Sequence, residues 1–448
     1  MKARPRVAPP LPSKMRRALA TSAVLLCATT VTADEFFTLQ GHGGPIMGIA
    51  VSDDDQIATV SFDNAVGLWS GADPRWFDGH EAAVNAVVIA ADGTVYSAGD
   101  DFTLRVWSPD GIAQAVWEGH KGKVVSLALS PDGGLVASAS WDGSIGLWPI
   151  DGSQPRFLTG HSGPVNDVAF TQKDTGLYSA SADGSIRLWD IDSTHEALRV
   201  TEHGFGVNEL ELNEAAGWLA YGAVDGGTRV LDLATGDTLA DLTLERRPIL
   251  SMATSPNGEL LAVGDGEGYI MVVDAVDWSI ARDFRATERG PVWALAFSRD
   301  GGNIHAGGLD PRMYSWPIAA MGDADPMATG SPSFLKDADT MPNGERQFMR
   351  KCSICHTLTP GSARRAGPSL YNLFGRKAGT VEDYTYSDAL DGSPIIWDED
   401  TIDALFDVGP EHYVPGTKMP MQRITGAQDR ADLVTYLRRE TAPKESSQ

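Results

Sequence analysis

Cysteine, basic residues and long apolar runs are all scarce in this chain. Its 448 residues include 3 Cys, and 36 Lys and Arg stand against 60 Asp and Glu. So few thiols exclude a disulfide-stapled framework. The formal net charge of −24 argues against nucleic acid as a partner, because phosphate binding needs a basic surface. Beyond the amino terminus no stretch approaches the roughly 18 apolar residues of a membrane span, so we expect no span in the mature chain.

The first 33 residues have the composition of a secretory signal. They hold six Lys and Arg and no acid, and an apolar run at 18–31 precedes small residues ending at Ala33. This pattern predicts export to the periplasm and cleavage after Ala33. An uncleaved amphipathic anchor is the alternative, and Met15 is a second candidate start beside Met1. Cleavage removes six positive charges from −24, which leaves −30 and two cysteines.

Glycine, by contrast, is abundant at 48 residues and accompanies a repeat of 38 to 43 residues between 35 and 318. Each unit contains alternating apolar stretches separated by turn residues, which predicts short antiparallel strands. Each unit ends in an apolar residue, usually Trp: Trp69, Trp107, Trp148, Trp189, Leu231, Val273 and Trp316. Six positions before it stands an acid: Asp63, Asp101, Asp142, Asp183, Asp225, Glu267 and Asp310. Seven such units predict a repeat architecture of seven modules.

These units resemble the WD-repeat family of β-propellers, most closely at 142–148 and 183–190. The resemblance implies an all-β seven-bladed propeller at 34–318, used more often for protein interaction than for catalysis. It also implies a hydrogen-bonded row of His120, Ser138 or Ser140, and Trp148 within a blade. The apolar segment 35–39 precedes the first unit, and we expect it to supply the outer strand that the seventh unit lacks. The aperiodic segment 319–340 is predicted to be a linker.

Both remaining cysteines lie in the sequence Cys352-Ser353-Ile354-Cys355-His356, which is the attachment motif of c-type haem. The two thiols add to the haem vinyl groups, and the adjacent imidazole becomes an axial ligand of the iron. A redox dithiol or half of a zinc site would use the same spacing. A zinc site needs further thiol or imidazole ligands, however, and the mature chain has no other Cys. The motif therefore predicts one covalently bound haem c.

The surrounding residues 341–440 resemble the all-α class I cytochromes c, and a short tail follows at 441–448. The matching segments are the loop 367–379, the aromatic run 384–387 with Trp397, the methionine loop 414–419 and a final helix at 429–439. The resemblance implies that Met419 is the second axial ligand beside His356. Met421 is a competing ligand, and His412 is a further one if the methionine loop opens. The haem contacts that the resemblance implies are Pro368, Arg376, Tyr386 and Trp397.

Together these features predict a periplasmic one-electron carrier whose propeller docks it onto a redox partner protein. Two other functions are consistent with the sequence: an oxidoreductase whose propeller holds a substrate or second cofactor, and a haem-based redox sensor. Residues 34–340 hold 17 basic and 45 acidic residues, whereas 341–448 hold 13 and 15. This negative propeller would attract a basic redox partner or the basic side of its own cytochrome domain. Alternatively, these acidic residues form a solvated surface that aids solubility.

Overall fold

A computed structural model describes residues 35–173, 175–192, 198–244, 248–319, 341–419 and 422–443. The predicted signal at 1–33, nearly all of the predicted linker and the competing ligand Met421 lie outside the described residues.

The repeat region forms seven four-stranded antiparallel sheets, the blades of a β-propeller. Blade 1 contains β2 (Ile46–Val51), β3 (Ile57–Ser61), β4 (Ala65–Ser70) and β5 (Asp73–Asp78), and blade 2 contains β6 (Val84–Ile89), β7 (Val95–Gly99), β8 (Leu104–Trp107) and β9 (Ala113–Trp117). Blade 3 contains β10 (Val124–Leu129), β11 (Leu135–Ser140), β12 (Ser144–Pro149) and β13 (Arg156–Thr159), and blade 4 contains β14 (Val165–Phe170), β15 (Gly176–Ser181), β16 (Ser185–Asp190) and β17 (Leu198–Glu202). Blade 5 contains β18 (Val207–Asn213), β19 (Trp218–Ala223), β20 (Thr228–Asp232) and β21 (Thr238–Asp241). Blade 6 contains β22 (Ile249–Thr254), β23 (Leu260–Asp265), β24 (Tyr269–Asp274) and β25 (Ile280–Arg285). Blade 7 contains β26 (Val292–Phe297), β27 (Asn303–Gly308), β28 (Arg312–Pro317) and β1 (Phe37–Gln40).

The amino-terminal strand closes the ring, as the sequence predicts. β1 pairs with β28 from Phe37 opposite Ser315 to Gln40 opposite Arg312. The innermost strands of neighbouring blades contact each other all the way round, including β2 against β26. Because β1 comes from the start of the repeat region and β28 from its end, their pairing closes the ring. It also covers the strand edge that β28 would otherwise expose.

A chain of buried hydrogen bonds ties the strands of blade 3 together. Trp148 Nε1 donates to Ser138 Oγ at 2.8 Å, the Ser138 hydroxyl lies 2.7 Å from His120 Nε2, and His120 Nδ1 donates to Asp142 at 3.0 Å. Burial lowers the pKa of His120, which favours the neutral imidazole that this chain of bonds requires. Ser138, not Ser140, is therefore the hydroxyl of the predicted row.

The same row recurs in blades 1, 2 and 4 through Thr59, Ser97 and Ser179. Blades 5 and 7 depart from this row, although of these two only blade 5 has lost the closing Trp of the sequence repeat. Tyr221 lies 3.3 Å from His203 Nδ1 in blade 5, and Trp316 Nε1 donates to the carbonyl oxygen of Ala286 in blade 7. Tyr221 and Tyr314 are almost fully buried in these blades, and the Tyr314 hydroxyl donates to Asp310 at 3.0 Å.

The second part of the chain is helical, with α1 (Asn343–Lys351), α2 (Glu399–Val408), α3 (Pro410–Tyr413) and α4 (Ala427–Thr441). α1 packs on α4, where the Phe348 and Tyr436 rings lie 5.5 Å apart and Leu433 is fully buried. Asp398 and Thr401 form a capping box that begins α2, and Ile402, Leu405 and Phe406 bury one face of it. Among the described helices, none has the length and apolar character needed to cross a membrane.

The propeller axis carries three carboxyl groups in a polar cavity lined by the inner strands, with an empty volume of about 1030 Å³ counting its open ends. Asp167 accepts hydrogen bonds from the Ser126 hydroxyl at 2.6 Å and from the Leu210 amide at 2.9 Å. Burial raises the pKa of Asp167 to about 6 and that of Glu211 to about 7. Burial and the neighbouring carboxylates raise the pKa of Glu209 well above its usual range.

These raised pKa values predict that the propeller loses stability as the pH rises. A carboxyl whose pKa is higher in the folded state than in the unfolded state binds more protons when folded. The stability that this contributes is complete below the unfolded pKa and is lost as the pH rises through about 6 to 7. We therefore expect these carboxyls to act to lower the melting temperature between pH 5 and pH 8, against buried histidines such as His120, whose lowered pKa acts in the opposite direction. The measurement is circular dichroism of the β-sheet signal. Glu211→Gln should flatten this dependence, and the exposed control Glu118→Gln should not. Equal slopes in Glu211→Gln and the unmodified chain would contradict the assignment.

Candidate cofactor site

All eight residues singled out by the sequence line one cavity of the helical domain, although they come from four different segments. The cavity has an empty volume of about 1380 Å³, counting its open mouth. The eight residues are Cys352, Cys355, His356, Pro368, Arg376, Tyr386, Trp397 and Met419.

The two thiols lie on the turn that ends α1. Backbone amides of Cys355 and His356 both donate to the carbonyl oxygen of Cys352, at 3.1 and 2.9 Å. This single turn places both side chains on the cavity wall, where each is at least nine-tenths buried. Burial raises the pKa of the Cys352 thiol to about 12 and that of Cys355 to about 11. A redox dithiol needs a lowered thiol pKa, so this environment argues against that alternative.

The orientation of His356 is fixed by one hydrogen bond. A carbonyl oxygen can only accept, so the 2.8 Å contact means that His356 Nδ1–H donates to the carbonyl oxygen of Pro368. Nε2 then keeps its lone pair and is the nitrogen able to bind a metal. Gly367 permits this approach, because a Cβ at that position would overlap the imidazole ring. Its amide also donates to the carbonyl oxygen of Cys355 at 2.8 Å, which ties the thiol turn to the same loop.

Arg376 holds the loop that follows Pro368. Its guanidinium donates to the carbonyl oxygens of Tyr371 at 2.7 Å and Ser369 at 2.8 Å. Desolvation lowers the pKa of Arg376, but an arginine side chain stays charged at neutral pH. The backbone of Arg376 is paired in turn with Trp397, whose amide donates to the Arg376 carbonyl oxygen at 2.9 Å. The cavity therefore contains a half-buried positive charge fixed beside an aromatic wall.

Two tyrosines and a serine complete this wall. The Tyr384 hydroxyl donates to the carbonyl oxygen of Ala366 at 2.6 Å, and its ring lies 5.0 Å from that of Tyr386. The Tyr386 hydroxyl lies 3.4 Å from the Val381 amide. Ser387 is buried on the same wall, and among the described residues its hydroxyl has no hydrogen-bond partner. Such an unpaired buried hydroxyl calls for a polar partner inside the cavity.

Met419 approaches from the segment after α3. Its amide lies 3.2 Å from the Thr417 hydroxyl, and its side chain packs half-buried against the apolar core of the domain. Gly416 allows the turn before it, with φ of +84°. His412 lies in α3 and is exposed, and it is not among the cavity-lining residues that the structure describes.

This set of donors fits a haem c. Two thiols, one imidazole with a free Nε2 and one thioether face an otherwise apolar cavity that includes Leu373, Phe406 and Leu437. Arg376 and the unpaired Ser387 hydroxyl supply positive charge and a hydrogen-bond donor for an anionic substituent such as a propionate. Among the described residues, no cluster of three or more His, Cys, Asp or Glu side chains forms a separate metal site.

Comparison with known proteins agrees with this site and with the propeller. The WD domain, G-beta repeat family matches residues 34–70, 74–108, 111–149 and 152–190, and the cytochrome c family matches residues 342–440. Cytochrome c of Sesamum indicum is 43% identical over 102 residues, which cover 89% of that protein and 22% of this chain. Cytochrome c of Theileria parva is 39% identical over 112 residues, covering 96% of that protein and 25% of this chain.

The site also depends on residues to which the sequence assigned no role in holding the cofactor. Arg365 donates to the carbonyl oxygens of Ser353 at 2.6 Å and Ile354 at 3.1 Å, so it braces the turn between the thiols. Helix α2 contributes Ile402, Leu405 and Phe406, and their apolar spacing after the Asp398 cap was a readable signal. Propeller residues such as Phe62 and Glu81 also line the cavity, and no sequence pattern indicated them.

Removing the thiols should abolish covalent haem attachment in steps. Cys352→Ala or Cys355→Ala leaves one thioether, so each single variant should retain haem through a denaturing gel with a shifted haemochrome band. The double variant should lose haem on the gel completely, because only non-covalent contacts remain. Ser353→Ala is the matched control, since Ser353 lies between the thiols and its hydroxyl bonds only to the Met349 carbonyl oxygen. Haem that stays with the double variant on the gel would contradict thioether attachment.

Proposed function

Through its C-terminal domain this chain belongs to the cytochrome c family, and from that premise we propose that it is an exported one-electron carrier with His356 and Met419 as axial ligands and a propeller that docks a redox partner. The haem c, when bound, supplies reversible one-electron exchange between its ferric and ferrous states. The observation that carries the proposal is the convergence of both thiols, the imidazole and the thioether on one cavity.

The residues divide the work of holding the haem between them. Cys352 and Cys355 would fix it covalently, which prevents its loss during partner encounters. His356 would bind the iron through Nε2, with the Pro368 carbonyl oxygen keeping the imidazole neutral and oriented. Met419 would fill the second axial position. A filled pair of axial positions leaves no site for a substrate, which favours electron transfer over catalysis.

The protein environment would also set the reduction potential. Methionine ligation raises the potential relative to two imidazoles. The apolar walls raise it further, since burial in a medium of low polarity disfavours the more highly charged ferric state. Arg376 would act in the same direction, because a half-buried cation beside a bound haem would oppose loss of an electron. Together these contributions favour a reduction potential at the positive end of the range found in biological electron carriers.

Export is proposed from the composition of residues 1–33 and from the chemistry of attachment. Haem is joined to the thiols after translocation in bacterial proteins of this kind, so a periplasmic location agrees with the Cys352–Cys355 motif. The amino-terminal strand begins at Phe37, close behind the proposed cleavage point. We expect amino-terminal sequencing of the mature haem-bearing protein to begin at Asp34. A mature protein that still begins at Met1 or Met15 would contradict cleavage.

The propeller is proposed as the docking module. Its residues 34–340 carry 45 acidic and 17 basic side chains, so its field would attract a basic redox protein and would weaken as salt increases. Propellers of WD repeats commonly serve protein interaction, and the closed ring offers a rigid face for it.

Methionine ligation can be tested with two isosteric substitutions. Met419→Leu should abolish the far-red absorption band that methionine ligation gives ferric haem, and should lower the reduction potential by on the order of 0.1 V. Met421→Leu is the matched control, two residues away, and should leave both band and potential unchanged. The measurements are an absorption spectrum and a potentiometric titration. If Met421→Leu loses the band while Met419→Leu keeps it, the ligand assignment is wrong.

A further inference from the structure

Residues 361–367 of the cytochrome domain, which we call the arginine loop, contact the propeller. Arg364 from this loop lies with its guanidinium carbon 4.3 Å from the ring centre of Trp76, on the outer strand of blade 1. The same guanidinium pairs with Asp78 at 2.5 Å. The loop backbone also touches the propeller, because a Cβ at Gly43 would overlap the carbonyl oxygen of Ala363. Gly43 is therefore needed for this approach.

The arginine loop adopts a backbone conformation that is costly unless its surroundings hold it. Ala363 and Arg364 have φ of +48° and +52°, in the left-handed region that residues with a side chain rarely adopt. Such a conformation persists when packing over-determines it. Here the propeller side supplies that packing: Trp76 is itself fixed against His42, with ring centres 4.7 Å apart, and His42 is bonded to Asp63. The contact thus rests on the rigid hydrogen-bonded row of blade 1.

The same propeller face extends across the mouth of the haem cavity. Phe62, Asn64 and Glu81 line the cavity together with Cys352 and Cys355. In antiparallel blades the turn β3–β4 and the loop β5–β6 emerge at one face. Phe62 and Asn64 lie on that turn, Glu81 lies on that loop, and Asp78 is the last residue of β5, where the loop begins.

The charges around Arg364 and at the cavity wall are complementary, whereas Arg289 of the loop β25–β26 brings a like charge near Arg365. The cytochrome side presents Arg364 in its ion pair and Lys351 and Lys418 at the cavity wall, while the propeller side presents Asp78 and Glu81. Arg365, next in sequence to Arg364, braces the turn between the thiols. A single loop therefore contacts both the propeller and the haem attachment site.

We propose that the acidic face of blades 1 and 2 is the docking site for the chain's own cytochrome domain, held by the Arg364 clamp, and that docking shields the haem from external redox agents. The shielding rests on the proposed electron-carrier function, whereas the docking does not. Electron exchange with a partner then requires that the clamp open or that the partner approach another part of the haem edge.

Docking is tested on the full haem-bearing chain by small-angle X-ray scattering. The docked form should have a radius of gyration near that of one compact body, about 22 Å for this length. Arg364→Glu should increase the radius by several ångström, because it places two carboxylates together. Combining it with Asp78→Arg reverses the ion pair and should restore the compact value. Asp237→Lys, an exposed acid in blade 5, is the control and should change nothing. Identical scattering for the unmodified chain and Arg364→Glu would overturn the docking.

Shielding is tested with ascorbate as a small anionic reductant of the ferric protein. If the acidic face covers the haem, Arg364→Glu should be reduced about tenfold faster, at the low end of electrostatic effects on encounter rates. The charge-swapped double variant should return to the slow rate, and Asp237→Lys should match the unmodified chain. An unchanged haem spectrum in each variant shows that the site is intact. An expanded Arg364→Glu protein without any gain in rate would overturn the shielding while leaving docking in place.

Discussion

The hydrogen bond from His356 Nδ1–H to the carbonyl oxygen of Pro368 is the interaction on which the cofactor site depends. This bond leaves Nε2 of the His356 imidazole as the nitrogen able to bind a metal. Other contacts hold the imidazole and the Pro368 carbonyl oxygen in place. Gly367 makes room for the ring, Arg376 fastens the carbonyl oxygens of the loop that follows, and Trp397 pairs with the Arg376 backbone. The orientation of the imidazole is thus set by backbone groups distant from it in sequence, which is how a small helical domain can keep a candidate metal ligand rigid.

The propeller is stabilised differently, by repetition. Four blades carry the same buried row of hydrogen bonds, and the amino-terminal strand closes the ring against β28. A closed ring of this kind resists local opening, so its faces are rigid platforms. The arginine loop uses that rigidity, because its left-handed residues contact Trp76, and Trp76 packs on the row of blade 1. Stability in one domain therefore supports a specific orientation of the other.

Much of this could be predicted from the sequence. The repeat spacing gave seven blades and even the closing strand, because tight turns and buried aromatic residues are local requirements of each unit. The haem motif and its flanking loops placed eight residues that do line one cavity. What sequence could not show is non-local: the choice of Ser138 over Ser140 depends on strand register, and the unpaired Ser387 hydroxyl depends on packing. The contact between Arg364 and Asp78 joins positions 286 residues apart, with no pattern in either segment.

An electron carrier needs one redox group, a stable coordination of its metal and a route for electrons that excludes other chemistry. In the cytochrome domain, the thiols would hold the redox group and the imidazole would coordinate its metal. The propeller face would restrict the route by which electrons reach the haem. Carrier function is tested most directly by a spectroelectrochemical titration of the mature protein combined with a haem count. One haem c per chain, with a single reversible one-electron step and no binding of carbon monoxide by the reduced form, is the predicted result. A second chromophore, or a reduced haem that binds carbon monoxide readily, would contradict it.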